Sequence, residues 1–223
     1  MLEILDREVL GIIGLTMQMT LSSTAISAVL GIPFGIWLAQ ANFTGKKLVV
    51  SINRTLMGTP PVIVGLVVFL LFMRTGPFGA FRILFTLQAM IIAQVILITP
   101  IISGIVYTAA ARNGDRIHSF AITMGAGKFQ TRVLFVKELG NDIFFSVITG
   151  FGRAMSEVGA IAIVGGNIRN LTRTMTTTIA LDINRGFRDQ AILLGIILMV
   201  IAFSVQIAAD FLRKREIRQD ENF

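Results

Sequence analysis

Five apolar runs dominate this chain of 223 residues and constrain its fold more than any other feature. They cover 10–39, 49–73, 85–110, 143–164 and 191–212. Because about 20 apolar residues are enough for a helix to cross the hydrocarbon core of a bilayer, each run can form one transmembrane helix. The pattern predicts an all-α, polytopic membrane protein with about five transmembrane helices in a single domain over 1–223.

The composition excludes several other classes of protein. Hydrophobic residues make up 54% of the chain and charged residues 15%, which is too apolar for a water-soluble protein. The chain has no cysteine and only one histidine, which argues against disulfides and against a metalloenzyme. A net charge of +7 is typical of basic residues that flank membrane spans and set their topology. We therefore predict no catalytic residue, no metal site, no bound cofactor and no nucleic-acid partner.

The basic residues also predict the orientation. If the amino terminus is outside, twelve of the 20 Lys and Arg residues lie in inside segments and seven in outside segments, which agrees with the positive-inside rule. The early acidic residues Glu3, Asp6 and Glu8 argue against a cleavable signal peptide. We expect a multi-pass protein of the plasma membrane with its carboxyl terminus in the cytoplasm.

Four arginines of one predicted outside segment oppose that rule: Arg169, Arg173, Arg185 and Arg188. Basic residues around an entrance raise the local concentration of anions. A row of exposed cations also fits an acidic face on a partner protein. Both interpretations stay open beside simple solvation at the surface.

The inside segment at about 111–138 is a candidate for docking. Its residues Ile117, Phe120, Ala121 and Met124 lie on one helical face, and Gly125 begins a glycine-rich break. Such a face fits either the headgroup region of the membrane or a groove in a soluble partner. In the first case Arg116, Lys128 and Arg132 would meet anionic lipid.

Charges and helix breaks inside the apolar runs mark a candidate pathway. Arg153 and Glu157 are four residues apart, which predicts either a structural ion pair or a pair that helps line an anion path. Ser156 lies between them and offers a hydroxyl. Pro60 follows Thr59 and cannot continue a regular helix, so a bend or gate is expected there. The threonine-rich run 172–178 is read either as an outside loop or as a re-entrant segment.

Several of these motifs resemble one family of membrane proteins. Importer-type ABC permeases carry a cytoplasmic Glu-Ala-Ala loop with a glycine, to which Ser119-Phe120-Ala121 and Gly125 correspond here. The block 152–160, GRAMSEVGA, followed by VGGN at 164–167, resembles permeases for molybdate, tungstate and sulfate. The segments MGTPPVIVGL at 57–66 and RTGPFG at 74–79 are most similar to tungstate permeases. Because serine replaces the loop glutamate, a salt bridge cannot form at Ser119.

The resemblance implies a type I importer fold in a prokaryotic inner membrane, with a cytoplasmic coupling helix. Its partners would be an ABC ATPase subunit, an extracytoplasmic oxyanion-binding protein, a second copy of the chain and membrane lipid. The segment Gly125-Ala126-Gly127-Lys128 lacks the spacing of a phosphate-binding loop, so ATP and magnesium are expected on the ATPase. The implied role of Ile117, Ser119, Phe120, Ala121, Met124 and Gly125 is ATPase coupling.

The function that follows is a permease for tungstate, with molybdate, sulfate or another anion as alternatives. Under this interpretation Thr59, Pro60, Arg153, Ser156 and Glu157 line or gate the pathway. The four outside arginines dock the binding protein. A membrane scaffold or signalling protein that recruits a cytoplasmic partner is the alternative from a different class, and an ATP-independent channel is another.

Overall fold

The computed structural model of the protein describes residues 2–220, without the side chains of 2–6, 115, 118, 128, 129, 132, 209, 210 and 212–220. Over 2–220 the regular elements are helices, which confirms the predicted all-α class. They are α1 (Leu2–Gln40), α2 (Lys46–Met57), α3 (Pro61–Phe72), a short 3-10 turn (Gly79–Phe81), α4 (Leu87–Thr123), α5 (Lys128–Glu138), α6 (Gly140–Met155), α7 (Gly159–Gly165), α8 (Met175–Arg185) and α9 (Arg188–Asp220).

Three helices are long and apolar enough to cross a bilayer alone, over Arg7–Gln40, Leu87–Gly114 and Arg188–Ala208. Two further spans exist if the bent pairs α2–α3 and α6–α7 each count as one, which gives up to five in the described part of the chain. The five predicted runs coincide with these helices and pairs. Along α9 many large apolar side chains are exposed, as expected of a surface that lipid covers: Ile192, Ile196, Met199, Val200, Phe203 and Ile207.

The chain divides into two compact units. The first consists of the residues up to 23, of 60–94 and of the chain from 151 onwards; the second consists of 24–59 and 95–150. Hydropathy does not reveal this division. The assignment of 1–223 to a single transmembrane domain stays a prediction.

In the first unit, α3 and α7 pack closely through small residues. A β-carbon added at Gly65 would lie 2.7 Å from the α-carbon of Ala160, so a side chain at Gly65 would force the helices apart. The amide of Phe85 donates to the carbonyl of Val164 at 2.9 Å and ties the start of the α4 segment to α7. Close contact of this kind lets dispersion forces hold membrane helices together, since lipid removes the hydrophobic driving force between them.

In the second unit, the later part of α1 packs on α4 through Gly31 and Gly35. A β-carbon at Gly35 would lie 2.6 Å from the carbonyl oxygen of Ser103. Further along α4, beyond this contact, α5 folds back on that helix. The buried cluster that joins them consists of Ala109, Ala110, Ile117, Phe135 and Leu139.

The predicted break after the docking face is confirmed. Helix α4 ends at Thr123 and α5 begins at Lys128. Gly125 has φ +68°, a left-handed conformation that costs about 1–2 kcal/mol for a residue with a β-carbon.

Candidate functional site

The span formed by α6 and α7 is interrupted next to the GRAMSEVGA block. Helix α6 ends at Met155, α7 begins at Gly159, and the chain bends by 59° at this break. The carbonyl of Ala154, near the end of α6, accepts a hydrogen bond of 2.8 Å from the side-chain amide of Gln94. Gln94 is fully buried and is itself held by the hydroxyl of Ser23, which donates to its Oε1 at 2.5 Å. The Gln94 amide therefore supplies a hydrogen bond at a carbonyl where the regular helix ends.

Two more backbone groups at the break are bonded by side chains. The hydroxyl of Thr176 donates to the carbonyl of Glu157 at 2.8 Å. The amide of Ala160, in the first turn of α7, donates to Glu157 Oε1 at 3.1 Å. An unbonded backbone group inside a membrane protein costs several kcal/mol, so these contacts are what permits a break at this position.

The predicted pair of Arg153 and Glu157 is present. Arg153 Nη1 lies 2.9 Å from Glu157 Oε2, and the two side chains are 33% and 3% exposed. Because Glu157 lies beyond the end of α6, the ion pair spans the break and does not lie along one continuous helix. The hydroxyl of Ser156, which is exposed, donates to the carbonyl of Arg153 at 3.1 Å. A role of these residues in a pathway stays a prediction.

The threonine-rich run is the start of a buried helix, α8. Thr174 caps this helix, since its hydroxyl accepts from the amide of Thr177 at 3.3 Å. Thr176, Thr177 and Thr178 are all buried, so an exposed outside loop is excluded. The amide of Met175 donates to the hydroxyl of Thr16 at 3.0 Å and ties α8 to α1. The re-entrant interpretation stays a prediction.

The predicted break at the proline pair is confirmed. Helix α2 ends at Met57 and α3 begins at Pro61. The hydroxyl of Thr59 donates to the carbonyl of Thr55 at 3.3 Å, and Pro60 is exposed. Whether this break acts as a gate stays a prediction.

The four arginines of the predicted outside segment separate into two kinds. Arg169 binds Glu8 through two parallel contacts, one of them 2.8 Å from Nε to Oε1, and Arg173 Nη1 lies 3.5 Å from the same carboxylate. The hydrogen bond to Glu8 and its negative charge raise the pKa of Arg169. These two arginines therefore fasten the 166–174 loop to α1.

Arg185 and Arg188 are exposed, and within the described residues neither has a hydrogen bond or an ion pair. The charge of Arg185 acts on the carboxyl of Asp182. Burial raises the pKa of that carboxyl, and the charges of Arg173 and Arg185 oppose the shift. The two exposed arginines are thus the members of the set that are free to meet another molecule.

The predicted docking face separates into a buried part and an exposed part. Ile117 is 5% exposed and Ala121 is fully buried, so both belong to the core of the second unit. Phe120 and Met124 are 57% and 70% exposed, and Ser119 is also exposed. Ile122, which the helical-face pattern omits, is 63% exposed beside them. The predicted lipid contacts of Lys128 and Arg132 lie outside the described side chains.

Sequence reasoning missed Gln94, and it did not predict the partners of Thr176 and Glu8. Gln94 left a signal, because an amide in the middle of the apolar run 85–110 needs a partner. Glu8 left none, because its partners are 161 and 165 positions away along the chain. Among the described residues, no group of three His, Asp or Glu side chains is placed to hold a metal ion.

Comparison with known proteins gives one family match. Residues 31–218 match the family described as the inner-membrane component of binding-protein-dependent transport systems. The chain is 42% identical over 200 residues to the tungstate uptake system permease protein TupB of Peptoclostridium acidaminophilum, an overlap of 90% of this chain and 88% of that protein.

Two further relatives are similar over most of the chain. A probable anion ABC transporter permease protein of Haloferax volcanii is 36% identical, over 87% of this chain and 86% of its own length. The tungstate uptake permease TupB of Campylobacter jejuni is 33% identical, over 77% of this chain and 72% of its own length.

Proposed function

Because the chain belongs to the family of inner-membrane components of binding-protein-dependent transport systems, we propose that it is the permease subunit of an ABC importer for tungstate. The observation that carries the choice of anion is the 42% identity, over nine-tenths of the chain, to a tungstate uptake permease. A second tungstate permease from a different organism is similar over three-quarters of the chain. The partners of this subunit are a substrate-binding protein and an ATPase.

The pathway runs past the break between α6 and α7. Arg153 is one-third exposed in the middle of an apolar span, and an arginine there is costly against lipid. A water-filled path shared with a second copy of the chain removes that cost, and a two-fold dimer is the simplest closed arrangement. Arg153 and Ser156 then present a cation and a hydroxyl to a passing oxyanion. Glu157 reduces the net charge, so that the anion is not held too tightly.

Energy comes from the ATPase subunit, which binds ATP and magnesium, while this chain catalyses no reaction and binds no cofactor. The amino terminus is outside and the carboxyl terminus is cytoplasmic. Phe120, Ile122 and Met124 project as an apolar knob into a groove of the ATPase. Closure of the ATPases on ATP moves the knob and, through α4 and α5, the spans.

Reconstitution tests this function directly. The chain, its ATPase and its binding protein are placed in liposomes, and uptake of labelled tungstate is measured with and without ATP. We expect ATP-dependent uptake that unlabelled tungstate inhibits at lower concentrations than molybdate or sulfate does. ATP-dependent uptake of another anion, with tungstate neither transported nor inhibitory, would show that the choice of anion is wrong.

The exposed arginines Arg185 and Arg188 dock the binding protein. We expect Arg185→Glu and Arg188→Glu to slow uptake, more strongly at low salt, because screening weakens attraction between exposed charges over about 10 Å at 0.1 M salt. Stimulation of the ATPase by binding protein already loaded with anion should also weaken. If uptake slows while this stimulation stays normal, the arginines attract free anion instead. Arg74→Glu, at another exposed site in a predicted outside segment, is the matched control and should change little.

A further inference from the structure

A small cavity lies among α1, α2 and α4 in the second unit. Its volume is about 150 Å³, and Leu38 places it near the carboxyl-terminal end of α1. The side chains that line it carry one cation, the guanidinium of Arg54, and no carboxylate. The lining residues are Leu38, Val50, Asn53, Arg54, Met57, Gly104, Tyr107 and Thr108.

We propose that this cavity binds one oxyanion between Arg54 and Tyr107. Arginine is always charged and offers five donors in a planar fork that matches two oxygens of an oxyanion. Within the described residues Arg54 has no ion pair and no hydrogen bond. The two long helices beside it belong to the apolar spans Arg7–Gln40 and Leu87–Gly114. The Arg54 side chain is exposed at the cavity and has no counter-charge from the protein, so its guanidinium is available to a bound anion.

The position of Arg54 is fixed by its neighbour Asn53. The Asn53 side-chain amide donates to the carbonyl of Pro100 at 3.3 Å, and the hydroxyl of Ser103 donates to Asn53 Oδ1 at 3.0 Å. Asn53 is buried, so these two contacts pin α2 to α4. The pinned helix holds the backbone of Arg54 beside the cavity, which lowers the entropic cost of ordering the site on binding.

The second donor is the hydroxyl of Tyr107, the only tyrosine of the chain. It has no hydrogen-bond partner among the described residues. Thr108 contributes no donor, because its hydroxyl already donates to the carbonyl of Gly104 at 2.8 Å. A cavity of about 150 Å³ leaves room for a tetrahedral oxyanion beside these two donors.

Two sources can supply this chemistry, the transported anion and the phosphate of an anionic lipid headgroup. In the proposed orientation the cavity faces the cytoplasmic side, where a translocated tungstate ion leaves the protein. That the occupant is tungstate rests on the proposed function, whereas the site itself rests on Arg54 and its surroundings.

Equilibrium binding of labelled tungstate to the full chain in nanodiscs of phosphatidylcholine tests the site. We expect binding of one tungstate per chain that Arg54→Gln weakens at least about tenfold, since hydrogen bonds to ions are the strong ones. Tyr107→Phe should weaken it less, because it removes one neutral donor. Lys47→Gln, on the same helix but outside the cavity lining, is the matched control and should leave binding unchanged.

Nanodiscs of phosphatidylglycerol distinguish the two sources. If a headgroup phosphate fills the cavity, mass spectrometry should find this lipid retained on the wild type and lost from Arg54→Gln, and tungstate binding should fall in these nanodiscs. The proposal is overturned if neither tungstate nor phosphatidylglycerol binds the wild type more tightly than Arg54→Gln, or if Lys47→Gln weakens binding equally. Uptake by the wild-type complex is measured separately. Absence of binding at the cavity with tungstate uptake intact would overturn this proposal alone, whereas absence of tungstate uptake would overturn the proposed function.

Discussion

Arg153→Ala is expected to lower the free energy of unfolding by about 3–5 kcal/mol, because it leaves the buried carboxylate of Glu157 without its cation. Glu157→Ala should have a comparable effect for two combined reasons. It removes the partner of Arg153 and also the acceptor for the amide of Ala160. Equilibrium unfolding in bicelles, followed by circular dichroism, measures both variants.

The matched control for this pair is Glu157→Gln. The glutamine oxygen can still accept from the amide of Ala160, while the charge is lost, so its cost relative to Glu157→Ala isolates the backbone hydrogen bond. In a double-mutant cycle the combined variant Arg153→Ala/Glu157→Ala should be less destabilised than the two single losses added together. Strictly additive losses would show that the 2.9 Å contact contributes no coupling energy.

Phe120→Asp is expected to abolish co-purification of the ATPase while the chain stays folded in the membrane. Phe120 is 57% exposed, so its replacement disturbs no core contact, but a carboxylate in an apolar groove would have to lose its water. The neighbouring Ser119→Glu is the matched control. It adds the same charge one residue away, at the position that the resemblance matches to the glutamate of the Glu-Ala-Ala loop, and should keep the ATPase bound.

Gly125→Leu tests the same docking segment through the backbone. A side chain there meets no atom within 4 Å, so the substitution causes no clash, but the φ of +68° is strained for leucine. We expect the turn to shift and the coupling of ATPase to transport to weaken. Unchanged co-purification in both Phe120→Asp and Gly125→Leu would refute docking at this segment.

The sequence by itself determined the features that depend on neighbours along the chain. The five apolar runs predicted the membrane helices, because burial in lipid depends on local hydropathy. The breaks at Pro60 and Gly125 followed from local backbone chemistry. The pairing of Arg153 with Glu157 followed from their spacing, although the geometry of the pair differs from the predicted one. They were expected on one continuous helix, and the structure places them across its end.

Only the tertiary structure decided which side chains bond the free backbone groups and which side chains are exposed. The backbone at the α6–α7 break is bonded by Gln94 and Thr176, which are 60 and 19 positions from the groups they contact. Periodicity put Ile117 and Phe120 on one face of α4. The return of α5 onto that helix then buries Ile117 and leaves Phe120 exposed. The physical reason is common to these cases. The bonding and burial of a group in a membrane protein depend on the partner that the fold brings to it, and a pattern along the sequence does not identify that partner.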